Sequence, residues 1–200
     1  MKNLLILFLL LFTLFSQAQT AADYFNKENV KYNLNNQNTL ISYYSRAIAL
    51  DPEDKVAYYE RGSVRFESED YKGAIADCNK AIALDPYYAV AYHQRGSAKI
   101  WLKDYYGAIA DHSKAIEIKP NYIAAYHLRG IAKSYLEDYN GAIADHSKEI
   151  EIDPNYADAY AYRGANKYDL NDKSGACDDW RKAATFGNAD AGKSLAENCK

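Results

Sequence analysis

The chain holds one methionine, two tryptophans, three cysteines and four prolines in 200 residues. Three cysteines cannot frame a disulfide-rich scaffold, and no paired-cysteine zinc motif occurs. Phosphate loops, nucleophile elbows and HExxH helices are also missing, which removes the usual signatures of nucleotide-binding and hydrolytic sites. There is no basic excess: Lys+Arg 24 against Asp+Glu 27 gives a net charge of −3. A basic stripe for nucleic acid and a polybasic patch for membranes are therefore absent. The one long apolar run, Leu4–Phe15, has 12 residues and is too short to span a bilayer comfortably.

What is present is a period. The prolines Pro52, Pro86, Pro120 and Pro154 stand 34 residues apart. Eight of the ten glycines fall on two further rungs of the same ladder: Gly62, Gly96, Gly130, Gly164 and Gly73, Gly107, Gly141, Gly175. Residues 89–122 and 123–156 match at 24 of 34 positions. A fixed period of this length signals stacked units, each too small to bury its own apolar face.

Each unit reads as two helices. After the break at Lys103-Asp104, apolar Ala108, Ile109, Ala115 and Ile116 follow helical spacing and not strand alternation. Asp70, Asp104, Asp138 and Asp172 stand where a short acceptor caps the second helix. The proline closes the unit, since it cannot continue a helix. A glycine inside a helix costs roughly 1 kcal/mol relative to alanine, so its recurrence calls for packing. Gly96 with Ala108 would let two antiparallel helices approach closely.

The pattern resembles the tetratricopeptide repeat, whose aromatic, Gly, Ala and terminal Pro sites fall on Tyr92, Gly96, Ala108, Ala115, Pro120 and their counterparts. The resemblance covers roughly residues 21–190 and implies an all-α superhelix of about five helix pairs with a C-terminal capping helix. The units are 19–54 (degenerate), 55–88, 89–122, 123–156 and 157–190 (divergent), with the cap at 189–200. No low-complexity linker divides them, so a single solenoid is expected. Two departures stand out. Arg61, Arg95, Arg129 and Arg163 replace the family's usual leucine, and Glu149 replaces a packing alanine. Asp77, Asp111, Asp145 and Asp179 recur sixteen residues after the arginines. The spacing suggests an Arg–Asp pair per repeat, within a unit or across to the next; the alternative is two separately solvated charges.

At the N-terminus, Lys2, the apolar run and Ser16-Gln17-Ala18 form the pattern of a secretory signal peptide over 1–18. The expectation is export to the periplasm or the extracellular space, with no membrane span after cleavage. Export permits disulfides. A Cys177–Cys199 bridge would staple the capping helix to the stack; two buried or idle thiols are the alternative. Cys78 takes an aromatic-type packing position and reads as a buried thiol. In the cap, Ala191, Leu195 and Ala196 are expected to face inward.

Six of the ten differences between the two best-matched units lie in the first helix, within an arc of roughly 140° at 100° per residue. The packing side repeats because its neighbours repeat; the other side varies because it does not build the stack. In the family that variable side lines a concave groove. The resemblance thereby places a binding strip at Tyr59, Phe66, His93, Gln94, Ile100, Trp101, His127, Leu128, Ile131, Tyr135, Tyr162 and Tyr168. The alternative is ordinary solvent-facing residues of a tyrosine-rich chain. Lysines and asparagines that clamp a carboxylate in some family members are replaced here by tyrosine, histidine, serine or apolar groups. His93 and His127 lie one repeat apart, too far to converge on one ion by themselves, and His112 and His146 read as partly buried packing residues. No metal, cofactor or catalysis is expected. The implied function is binding of a protein or peptide, without nucleic acid. The alternative is a scaffold or assembly subunit of the cell envelope that uses the edges or convex face and could self-associate.

Overall fold

The computed structural model describes residues 36–199. The expected leader at 1–18, the first helix of the degenerate unit near 22–34 and part of its turn lie outside those residues. Among the described residues there are ten α-helices and no strand: α1 (Gln37–Leu50), α2 (Lys55–Glu67), α3 (Tyr71–Leu84), α4 (Ala89–Trp101), α5 (Tyr105–Ile118), α6 (Ile123–Tyr135), α7 (Tyr139–Ile152), α8 (Ala157–Asp169), α9 (Lys173–Thr185) and α10 (Ala189–Asn198). The chain divides into two compact units, with the boundary between Leu84 and Asp85. In the first, α2 packs against α1 and α3. In the second, each helix from α4 to α10 packs on its successor, and the first helices of successive repeats also touch, α4 with α6 and α6 with α8. No described helix is long and apolar enough to cross a membrane.

Local chemistry sets the boundaries. Asp70, Asp104, Asp138 and Asp172 each accept the backbone N–H of the glycine three residues on, at 2.9–3.0 Å. A Cβ on Gly107 would lie 2.1 Å from the Asp104 carboxylate, so the capping aspartate demands glycine there. The first helix ends one residue earlier with a left-handed residue, Glu69, Lys103, Glu137 or Asn171, at φ 61–64°. The following N–H returns to the carbonyl five residues back, as Asp104 to Lys99 at 2.9 Å, which closes the helix end.

The other glycine rung sits where the paired helices come close, and it also makes room for side chains. Gly96, Gly130 and Gly164 each face a side chain sixteen residues on: His112, His146 and Trp180. A Cβ would sit 2.9, 2.7 and 2.8 Å from those rings. Missing side chains on the first helix thus make room for bulky ones on the second. At Gly62 the facing residue is the smaller Cys78, whose Sγ would lie 3.6 Å from a Cβ, and the nearest contact is Asp77 Cβ at 3.3 Å. Fully buried Ala74, Ala108, Ala142 and Ala176 bring the paired helices together.

Charge is folded into the same interfaces. Arg61, Arg95, Arg129 and Arg163 donate through two nitrogens to both oxygens of Asp77, Asp111, Asp145 and Asp179, at 2.5–3.0 Å. A second cation, Arg65, Lys99, Lys133 or Lys167, reaches the same carboxylate at 2.7–2.8 Å. Each pair lies within its unit. The link to the preceding unit is a serine: Arg61, Arg129 and Arg163 donate to Ser45, Ser113 and Ser147 at 3.0–3.2 Å. The guanidinium groups also sit 5.3–5.8 Å from the rings of Tyr58, Tyr92, Tyr126 and Tyr160. A planar, two-pronged cation suits this position, where leucine would reach only the ring.

At the C-terminal end, Ala191 and Leu195 of α10 pack on a cluster around Tyr160 and Trp180. Ala196 is exposed, contrary to expectation. It lies about 140° around the helix from Ala191, and α10 offers only a narrow stripe. A Cys177–Cys199 disulfide, with Cα atoms 5.8 Å apart, fastens the helix to α9. Cys78 is buried and forms no disulfide.

Candidate functional site

The variable sides of α4, α6 and α8 carry a strip of aromatic and aliphatic groups. Trp101 and Tyr135 hold equivalent positions at the ends of α4 and α6 and are 64% and 62% exposed. Tyr135 is held by a parallel stack on Tyr105, ring centroids 4.7 Å apart. Tyr162 on α8 is 42% exposed; burial of part of its ring, with the Asp158 charge, pushes its hydroxyl pKa up. Ile100, Leu128 and Ile131 are half-buried beside them. On the opposite side Tyr126 and Tyr160 are buried under the arginines. In the first unit Tyr59 and Phe66 are half-buried, and Phe66 packs edge-on against Tyr71 at 5.4 Å.

Two expected members do not line the strip. Gln94 is 9% exposed and closed to a partner. It stands at the end of the variable arc, where a small rotation exchanges open for packed surface. Tyr168 is half-buried against Trp180, ring centroids 5.5 Å apart, and serves the terminal core.

The histidines form two sets. His93 packs between His112 and Tyr122, with centroids 5.2 and 4.9 Å away. His112 is fully buried, and neither of its ring nitrogens has a hydrogen-bond partner among the described residues. Burial lowers the pKa of His93 to about 4 and that of His112 to about 3, the latter helped by His93 and nearby cations. One repeat later the same two positions hold His127 and His146, and Glu149 joins them. Glu149 accepts from His127 Nδ1 at 3.0 Å and from His146 Nδ1 at 2.7 Å. Burial pushes the Glu149 carboxyl pKa up, but the two imidazole hydrogen bonds outweigh it and hold the group below its ordinary value. Histidines one repeat apart do not converge; histidines on paired helices do, through a residue that is alanine in the sibling repeats. The readable signal was Glu149 itself, three residues after His146 on one helix face.

Comparison with known proteins decides the family. Two tetratricopeptide repeat models match adjacent stretches, residues 56–88 and 89–122. The chain is a tetratricopeptide repeat protein. Its fold is an all-α solenoid, shared with MamA (residues 41 to the end) from Desulfovibrio magneticus RS-1 at 20% identity and a TM-score of 0.77, over 84% of this chain and 96% of that one. YrrB, described as a TPR protein with an unusual peptide-binding site, aligns at 23% identity and a TM-score of 0.71, over 84% and 87% of the two chains. The first TPR of Spaghetti (RPAP3), bound to the HSP90 peptide SRMEEVD, aligns at 28% identity and a TM-score of 0.58, over 60% of this chain and 95% of that one. No curated protein matches the tetratricopeptide sequence.

Proposed function

We propose that this tetratricopeptide repeat protein binds an extended segment of another protein along the first helices of its second unit, and performs no chemistry on it. The observation that carries the reading is the row of solvent-facing Trp101, Tyr135 and Tyr162 on helices that touch one another in order. Solvent-facing aromatic groups in a row suit the anchoring of apolar side chains. The solved YrrB and Spaghetti structures, whose descriptions name a peptide-binding site and a bound peptide, support binding of this kind. Recognition here differs from carboxylate clamping, because the strip offers rings and aliphatic groups in place of lysines and asparagines.

Loss of one central aromatic anchor typically costs about 2 kcal/mol, roughly 30-fold in Kd. The test is capture of partners from the envelope fraction by wild type and by the Trp101→Ala/Tyr135→Ala variant. Lost capture with unchanged helical content is the expected result. Retained capture would shift the function to the edges or convex face, as for a scaffold subunit.

Export belongs to the same proposal. The apolar run Leu4–Phe15 with its small-residue site, and the Cys177–Cys199 bridge, both suit an oxidising compartment. N-terminal sequencing of protein from the envelope fraction should begin at Gln19; an intact Met1 would contradict it.

A further inference from the structure

We propose that His127, His146 and Glu149 form a binding site for one divalent transition ion of the zinc class. One ligand atom from each of the three lies within 4.8 Å of the others. The donors are two imidazole nitrogens and a carboxylate oxygen, a set suited to such an ion. Tetrahedral ligand atoms at about 2 Å from zinc stand about 3.3 Å apart. The present separations, 3.0 Å from His127 Nδ1 to Oε2 and 2.7 Å from His146 Nδ1 to Oε1, are shorter than this by about 0.3 and 0.6 Å, so the cluster binds an ion by opening slightly.

Burial adds to the geometry. Positions 47, 81, 115 and 183, the equivalents of Glu149, all hold buried alanine. The one carboxylate at this position is fully buried, and among the described residues its ion-pair partners are His127 and His146. The cations of the same repeat, Arg129 and Lys133, are committed to Asp145. Burying a carboxylate is expensive unless positive charge is held against it. A divalent ion held at the two Nδ1 atoms and the carboxylate supplies that positive charge. The imidazole protons then reside on Nε2. His127 is the one member with surface access, its side chain 16% exposed. The fourth coordination position opens on that side, next to the rings of Tyr162 and Tyr156, and takes water.

The sibling repeats provide the controls. Glu149→Ala restores the residue found at Ala115, and His127→Ala restores the one found at Ala161, so both variants carry residues the fold already uses. The full, untagged protein is titrated with Zn²⁺ alone, then dialysed, and bound zinc per chain and the thermal midpoint are measured. Wild type should retain about one zinc per chain and gain thermal stability, and each variant should bind at least tenfold more weakly and gain none. Zinc retained equally by wild type and Glu149→Ala would overturn the proposal. A wild-type midpoint that responds to pH but not to Zn²⁺ would also overturn it, leaving the trio a hydrogen-bonded core cluster.

Discussion

Asp145→Asn removes the charge that Arg129 and Lys133 share while preserving shape. The carboxylate side chain is 4% exposed, and the two cations meet it at 2.6 and 2.8 Å. At an effective dielectric of about 20, unit charges 4 Å apart attract by about 4 kcal/mol. Two such pairs approach twice that, less a desolvation penalty of several kcal/mol for the buried ion. In the variant both cations remain and face each other, and the charge assistance of two Arg129 hydrogen bonds and one Lys133 contact is lost. The expected loss of stability is about 3–5 kcal/mol. Lys133→Met leaves the two-pronged Arg129 contact intact and should cost only about 1–2 kcal/mol. Urea unfolding followed by circular dichroism at 222 nm reads the difference as a midpoint drop of roughly 1.5–2.5 M for Asp145→Asn, at a slope near 2 kcal/mol/M. An Asp145→Asn variant within 1 kcal/mol of wild type, or a Lys133→Met variant equally damaged, would refute the shared-carboxylate reasoning.

Three further outcomes are expected. Protonation of His93 and His112 is suppressed in the folded state, with pKa values of about 4 and 3. The unfolded chain binds more protons below about pH 6.5, so their contribution is complete above that pH. It falls as pH drops toward 4, by up to about 1.4 kcal/mol per unit per histidine; equal urea midpoints at pH 7.5 and 5 would contradict this. Replacing Cys177 and Cys199 by serine opens a loop with a sequence separation of 22 residues, and should cost about 3 kcal/mol. Amide exchange in α10 should then rise before that in α9, and unchanged exchange would contradict the stapling role. Gly130→Ala forces a Cβ to 2.7 Å from the buried His146 ring, whereas Gly62→Ala meets nothing nearer than 3.3 Å. The first should destabilise by about 1–3 kcal/mol, and the second should be neutral or gain up to about 1 kcal/mol of helix propensity; equal effects would refute the distinction.

Much of this architecture is legible because each repeat restates it. Caps, closing prolines, glycine rungs and the sixteen-residue Arg–Asp spacing recur, and recurrence separates structural roles from accidents of one helix. The orientation of the first helices follows from the same comparison: Trp101 and Tyr135 vary and stand open, whereas Tyr126 repeats and is buried. What the repeat obscures are the places where it breaks. Glu149 gains its meaning only when His127 and His146, on two different helices, point to it. Gln94 lies at the border between varying and repeating sides, where helical phase alone does not settle burial. The glycines announce a close approach, but their partner is set by residue 78, 112, 146 or 180 on the facing helix, and that residue changes from repeat to repeat.

The central claim is that the varying sides of α4, α6 and α8 form the surface a partner covers. Amide hydrogen exchange on the second unit, with and without a captured partner, tests it most directly. Slowed exchange in the last turns of α4 and α6, around Trp101 and Tyr135, and along α8 near Tyr162 is the predicted result. Slowed exchange confined to α5, α7 and α9, with those first-helix segments unchanged, would contradict it.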